Sequence, residues 1–166
     1  MMMLLEDLAQ VLEQEAEKYE ALLRLLRQER GLIVKGDLGA LAELMKRKET
    51  LALELKIIQE ARGALMNRAS AMYGIPLVDF TLFRLVNLVP ASHATSYRSL
   101  MDRLTLLATT LVEENGWNGA LLDRSIMYMK GSLSLLTSAV TQVPLYQGDG
   151  SIVTQSPSLS ILNSQA

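Results

Sequence analysis

Apolar residues recur every seventh position near the start of the chain, at Leu5, Leu12, Tyr19, Leu26 and Ile33, with Leu8 and Leu22 three residues after two of them. Such a repeat marks a helix whose seam packs against another helix. Glu13, Glu17, Lys18, Glu20, Arg24 and Arg27 occupy the other faces, so the pattern predicts a helix over residues 3–34. Lys35-Gly36-Asp37 interrupts it. Gly36 can take the left-handed conformation that closes a helix, and Asp37 can cap the next by accepting from its free backbone N–H groups. A second helix is predicted over 38–73, with Leu44, Leu51, Ile58, Leu65 and Met72 every seventh residue and Leu41 and Leu55 at alternate seam positions. A link this short makes the pair an antiparallel hairpin. Lys48 and Arg62 stand where the seam calls for apolar residues. Their stems can line the seam while their charged heads reach water.

Tyr73-Gly74-Ile75-Pro76 ends the second helix. Asp79 then reads as the N-cap of a short helix over 80–89, which Pro90 stops. A third long helix is predicted over 92–142, with a seam of Leu100, Leu104, Leu107 and Leu111 that resumes at Leu122, Met129, Leu136 and Val143. From Pro144 the composition shifts to glycine and serine with one charge, Asp149, which predicts a flexible C-terminal tail. The expected fold class is therefore all-α: a long antiparallel helical hairpin, a short helix and a third long helix in a coiled-coil-like bundle over residues 1–143, with a tail over 144–166.

Composition supports this reading. Hydrophobic residues make up 49% of the 166, yet aromatic ones only 5%. That mix suits helix-on-helix packing better than strands, which favour β-branched and aromatic residues. A net charge of −2 gives no overall field to attract nucleic acid or an anionic membrane. No predominantly apolar, uncharged stretch reaches the roughly 18 residues that a membrane span needs; the most apolar window, Leu100 to Val112, is broken by Asp102 and Arg103. Acidic residues at Glu6 and Asp7 stand where a signal peptide has a basic start, so the expected location is cytoplasmic, without direct membrane insertion.

Chemistry is hard to place on these residues. There is no cysteine, and the one histidine, His93, cannot form a metal cluster by itself. Glu13, Glu17 and Glu20 share a helical face, but the Glu-x-x-His pair of carboxylate-bridged metal bundles is missing. No glycine-rich loop follows a strand to cradle phosphate, and no sharp strand–turn–helix element would hold a nucleophilic serine. The expectation is a protein without catalytic site, cofactor or metal. The basic run Lys46-Arg47-Lys48 and the arginines at 24, 27 and 30 are offset by Glu29, Glu43 and Glu49, and read as a salt-bridged helix surface, not a nucleic-acid site.

One segment exceeds what a simple bundle needs: Asn115-Gly116-Trp117-Asn118-Gly119-Ala120-Leu121-Leu122. Two mid-helix glycines cost roughly 1 kcal/mol each relative to alanine. Asn115 and Asn118 fall on or beside the seam, where a polar pair can fix register. Downstream, Ile126, Met127, Tyr128, Met129, Leu133, Leu135 and Leu136 cover more than one face. Methionine suits adaptable contact surfaces. The candidate partner-binding residues are Asn115, Asn118, Leu121, Leu122, Met129, Leu133 and Leu136.

The order and spacing of several short motifs resemble the FlgN family of flagellar export chaperones. They are the opening run from Tyr19 to Arg30, Gly36-Asp37-Leu38, Lys48-Glu49-x-Leu51, the Asn115-x-x-Asn118-x-x-Leu121-Leu122 segment, and Leu145-Tyr146-Gln147-Gly148-Asp149-Gly150 after the third helix. Gln147 departs from the pattern, in which a glycine often follows the tyrosine. The resemblance implies a chaperone that holds the C-terminal helical segments of hook–filament junction proteins, prevents their premature assembly and delivers them to the flagellar type III export gate. It implies that the C-terminal part carries the substrate site and that Tyr146 docks at the gate. The alternative from the residues alone is a structural or adaptor coiled coil that homodimerises through its third helix, and a homo-oligomer is also expected when substrate is absent.

Overall fold

In the computed structural model, residues 2–141, 145–146 and 152–153 are described, with side chains over 2–135. Four helices follow in order: α1 (Met2–Lys35), α2 (Leu38–Tyr73), α3 (Leu82–Val86) and α4 (Ala91–Thr141). Leu145–Tyr146 (β1) and Ile152–Val153 (β2) pair antiparallel, Leu145 opposite Val153 and Tyr146 opposite Ile152. The rest of the expected flexible tail lies outside the described residues. The chain forms two compact units, Met1–Leu122 and Asp123–Ala166, and α4 contributes to both.

The hairpin turn forms as its residues dictate. Gly36 sits at φ 69°, and the N–H groups of Gly36 and Asp37 donate to the carbonyls of Ile33 and Leu32. These two bonds satisfy carbonyls that the helix end leaves open. The Asp37 carboxylate accepts from Ala40 N at 3.0 Å and caps α2. Gly74, at φ 66°, repeats the arrangement at the other end of α2, with Ile75 N donating to Ser70 O.

The short helix differs from expectation. Asp79 does not cap it: residues Leu77–Asp79 form a 3₁₀ turn, whose closing bonds run from Asp79 N to Pro76 O and from Phe80 N to Leu77 O. The cap is Thr81, whose hydroxyl accepts from Arg84 N at 3.2 Å. Proline at 76 sets the turn early, so the helix starts later and is shorter than the apolar pattern alone suggests.

Many seam positions are core positions, but not all: Met72 of α2 is 49% exposed and Met129 of α4 58%, while Tyr19, Ile58 and Leu65 are half-buried. Leu5, Leu8, Leu12, Leu26 and Ile33 of α1 are buried, as are Leu44, Leu51 and Leu55 of α2 and Leu100, Leu104 and Leu111 of α4. The main cluster joins the first half of α1, Ala69 near the end of α2, α3 and the first part of α4, with Phe80, Leu85, Val86 and Tyr97 among its members. A second cluster joins Leu23 and Leu26 to Leu111.

The heads of Lys48 and Arg62 turn to carboxylates of α1, Lys48 largely withdrawn from water and Arg62 still 39% exposed at its side chain. Lys48 Nζ meets both carboxylate oxygens of Glu29, at 2.9 and 2.8 Å, and Arg62 Nη1 meets Glu15 at 2.9 Å. Glu29 and Glu15 are 3% and 0% exposed. Glu15 and Glu29 lie two heptads apart, as do Lys48 and Arg62, so an antiparallel seam brings both pairs into register together. A carboxylate removed from water needs a charged, hydrogen-bonded partner, and the seam cations supply it.

Candidate functional site

α4 is fastened to α1 by polar side chains as well as by leucines. Arg103 donates to Glu20 at 3.1 and 2.7 Å and also pairs with Glu13. Two of the three glutamates on that face of α1 thus grip one arginine. The Glu20 hydrogen bonds, chiefly, raise the Arg103 pKa. Among the described residues, no group of three His, Cys, Asp or Glu is placed to hold a metal ion.

A second clasp ties three helices at one level. Asn118 is 2% exposed. Its amide nitrogen donates to Leu26 O at 2.7 Å and to Glu29 at 2.9 Å, and its amide oxygen faces Arg30 Nε at 3.4 Å. Glu29 in turn holds Lys48 of α2. Beside this centre Glu114 pairs with Arg30 and lies 3.7 Å from Arg27. The Arg30 guanidinium stands 5.7 Å from the centroid of the Trp117 ring, a cation–π contact. Asn118 therefore sets register within the chain itself, by bonding to α1, and is not open to a partner in this conformation. Sequence reasoning singled out Asn118 but not Glu29 as its partner. The hairpin register gave no signal for it, because α4 runs parallel to α1, Tyr97 meeting Leu5 and Asn118 meeting Leu26 at the same sequence offset.

The other candidate residues are placed differently from one another. Asn115 is exposed and lies at the rim of a groove of ≈ 420 Å³, whose walls include Leu22, Leu26, Met45, Ala52 and Leu111. Leu121 and Leu122 are half-buried. Met129 is 58% exposed and Leu133 63%. The side chain of Leu136 and that of Tyr146 lie outside the described residues. On a helix, positions 111, 115, 118, 122, 126, 129 and 133 form one stripe. It is buried at Leu111 and Asn118 and exposed at Ile126, Met129 and Leu133. A neighbouring stripe carries Trp117 and Tyr128, exposed at 70% and 78%.

An added Cβ at Gly116 or Gly119 would meet nothing within 4 Å. Gly116→Ala and Gly119→Ala are each expected to raise stability by about 1 kcal/mol, because alanine removes the helix-propensity cost without a clash. Urea unfolding of the two variants measures this. A loss of stability would show that the glycines serve the fold of the isolated chain.

An antiparallel hairpin clasped to a longer helix defines an all-α, coiled-coil-like protein. The chain belongs to the FlgN family, whose general role is flagellar export chaperone: the family model described as FlgN protein matches residues 1–154. Comparisons with curated proteins and with solved structures each found no match. No helix among the described residues is long and apolar enough to cross a membrane.

Proposed function

We infer that this chain is a cytoplasmic chaperone for hook–filament junction proteins. It covers their C-terminal helical segments, keeps them from assembling early and brings them to the flagellar type III export gate. The observation that carries the reading is the seam of α4, which continues past Asn118 with Ile126 and Met129 exposed at 43% and 58%. An amphipathic helix laid along such a stripe buries both partners' apolar faces, the helix-in-groove mode of recognition. Leu121, Leu122, Met129, Leu133 and Leu136 are the proposed contact face, with Asn115 at its edge. Asn118 contributes indirectly, by holding α4 in register on α1. Tyr146, outside the helices, is the proposed contact with the gate. The chain has no evident nucleotide-binding motif, so release is assigned to the export machinery.

Titration of purified chain with a junction-protein C-terminal segment tests this. Met129→Ala combined with Ile126→Ala is expected to weaken binding by more than about 1 kcal/mol, roughly fivefold or more, while the circular dichroism of the protein is unchanged. Trp117, the chain's one tryptophan, gives a fluorescence signal for the titration. Tyr146→Ala is expected to bind the segment normally but fail to support export. Unchanged affinity in the double variant would refute the α4 assignment. A tight homodimer that binds no junction protein would transfer the face to a second copy of the chain.

A further inference from the structure

The basic residues of the hairpin separate into two groups once their partners are known. On the side that meets α4, Arg30 is bound to Glu114 and Lys48 to Glu29. On the other side of the hairpin the balance differs. Two depressions of ≈ 410 and ≈ 380 Å³ lie between α1 and α2 and share Gln28 and Arg47. Arg24 and Arg47 line the first, and Lys35 and Arg47 the second. The carboxylates that line them are already engaged, Glu54 with Lys18 at 2.6 Å and Glu43 with Lys46 at 2.8 Å. Arg24, Arg47 and Lys35 are exposed, and no ion pair joins them to a carboxylate among the described residues.

The result is a groove with surplus positive charge on a chain whose net charge is −2. Its floor is apolar, with Leu25, Leu44 and Leu51 beneath the cations. On α1 the residues Arg24, Gln28, Gly31 and Lys35 follow the three-and-four spacing of a single helical stripe, about 17 Å long at ~1.5 Å per residue. Gly31 lines the groove, and an added Cβ there would meet nothing within 4 Å. A glycine inside a helix costs up to ~1 kcal/mol relative to alanine. Its open face here lets a peptide backbone come close.

We propose that this groove of the α1–α2 hairpin docks an acidic peptide segment of a partner protein, its carboxylates on Arg24, Arg47 and Lys35 and its apolar side chains over Leu25 and Leu51. Charge complementarity selects the occupant. The length corresponds to roughly five residues of extended chain. Nucleic acid fits less well: no aromatic side chain lines either depression to stack a base, and three cations on an acidic protein give a weak phosphate footprint. The groove is formed by residues of α1 and α2 and shares none with the proposed substrate face on α4.

Fluorescence anisotropy on the full chain tests the proposal. The probes are a short labelled peptide alternating glutamate and leucine, its glutamine and lysine counterparts, and single-stranded oligouridylate. The glutamate peptide is expected to bind about tenfold or more tightly than the glutamine one, with affinity falling as salt is raised. The double variant Arg24→Glu and Arg47→Glu, which changes exposed side chains only, is expected to lose that preference and to gain binding of the lysine peptide. Circular dichroism checks that it stays helical. Equal binding of the glutamate and glutamine peptides, charge reversal without effect, or tighter binding of oligouridylate would each overturn the proposal.

Discussion

Glu29→Ala is expected to lower the unfolding free energy by about 3–5 kcal/mol, the usual cost of removing one member of a buried ion pair. Glu29 is 3% exposed and receives hydrogen bonds from Lys48 and from Asn118. Without it, the Lys48 ammonium, whose side chain is 17% exposed, keeps its charge with no carboxylate beside it. Asn118 loses one of its two acceptors on α1 and retains Leu26 O. The attractive part of the pair is smaller than this loss, because both ions were desolvated to form it. Replacing Glu29 and Lys48 together by methionine should therefore recover most of the stability. Urea denaturation of the single and double variants separates the two effects. A loss below about 1 kcal/mol in Glu29→Ala would mean that water reaches the Lys48 head and that the clasp is peripheral.

Tyr97→Ala is expected to cost a similar amount, about 3–5 kcal/mol, for a different reason. Tyr97 is 1% exposed in the cluster that joins α1, α3 and the start of α4, and its hydroxyl donates to the carbonyl of Leu5. Truncation leaves a cavity in this cluster, to which Ala69 of α2 also belongs. Tyr97→Phe keeps the ring and should cost only about 1 kcal/mol, the net worth of an ordinary hydrogen bond. The same residue gives a signature in alkali. Burial, with a smaller contribution from Tyr73, pushes the Tyr97 hydroxyl from 10.0 up to about 12. The folded state favours the neutral phenol, so this contribution to stability is fully present below pH 10 and is lost as pH rises through about 12. Melting temperatures should fall over that interval in the parent protein and fall less in Tyr97→Phe. Equal slopes in the two proteins would contradict a buried, neutral Tyr97.

Much of the architecture was legible because helix packing leaves a strong periodic trace. The seven-residue spacing of Leu5, Leu12, Leu26 and Ile33 located α1, and each of these residues is buried. Gly36 and Asp37 marked the turn because the left-handed conformation and the side-chain cap each need a particular residue type, and both form as expected. Asp79 was misread for the opposite reason. Several residues near it can cap a helix, and the choice depended on where the turn after Pro76 closed. At the candidate site, the stripe on α4 was visible in the sequence. Which part of it is buried was not, since burial depends on what packs opposite each position.

The sequence alone determined the helical class, the hairpin and the seams, because these follow from local conformational preference and from the 3.6-residue period of a helix. Its motifs also carried the family resemblance that the family match over residues 1–154 bears out. Only the tertiary structure decided the fate of the polar residues. Lys48 and Arg62 joined Glu29 and Glu15 in the seam, Asn118 turned inward to α1, and Arg24 and Arg47 remained without a carboxylate among the described residues. The reason is physical: an apolar residue gains from nearly any dry surface, whereas a charged or amide group needs one particular partner at hydrogen-bond distance. That partner is set by the register of one helix against another, and here it came from a residue as distant in sequence as Asn118 is from Leu26.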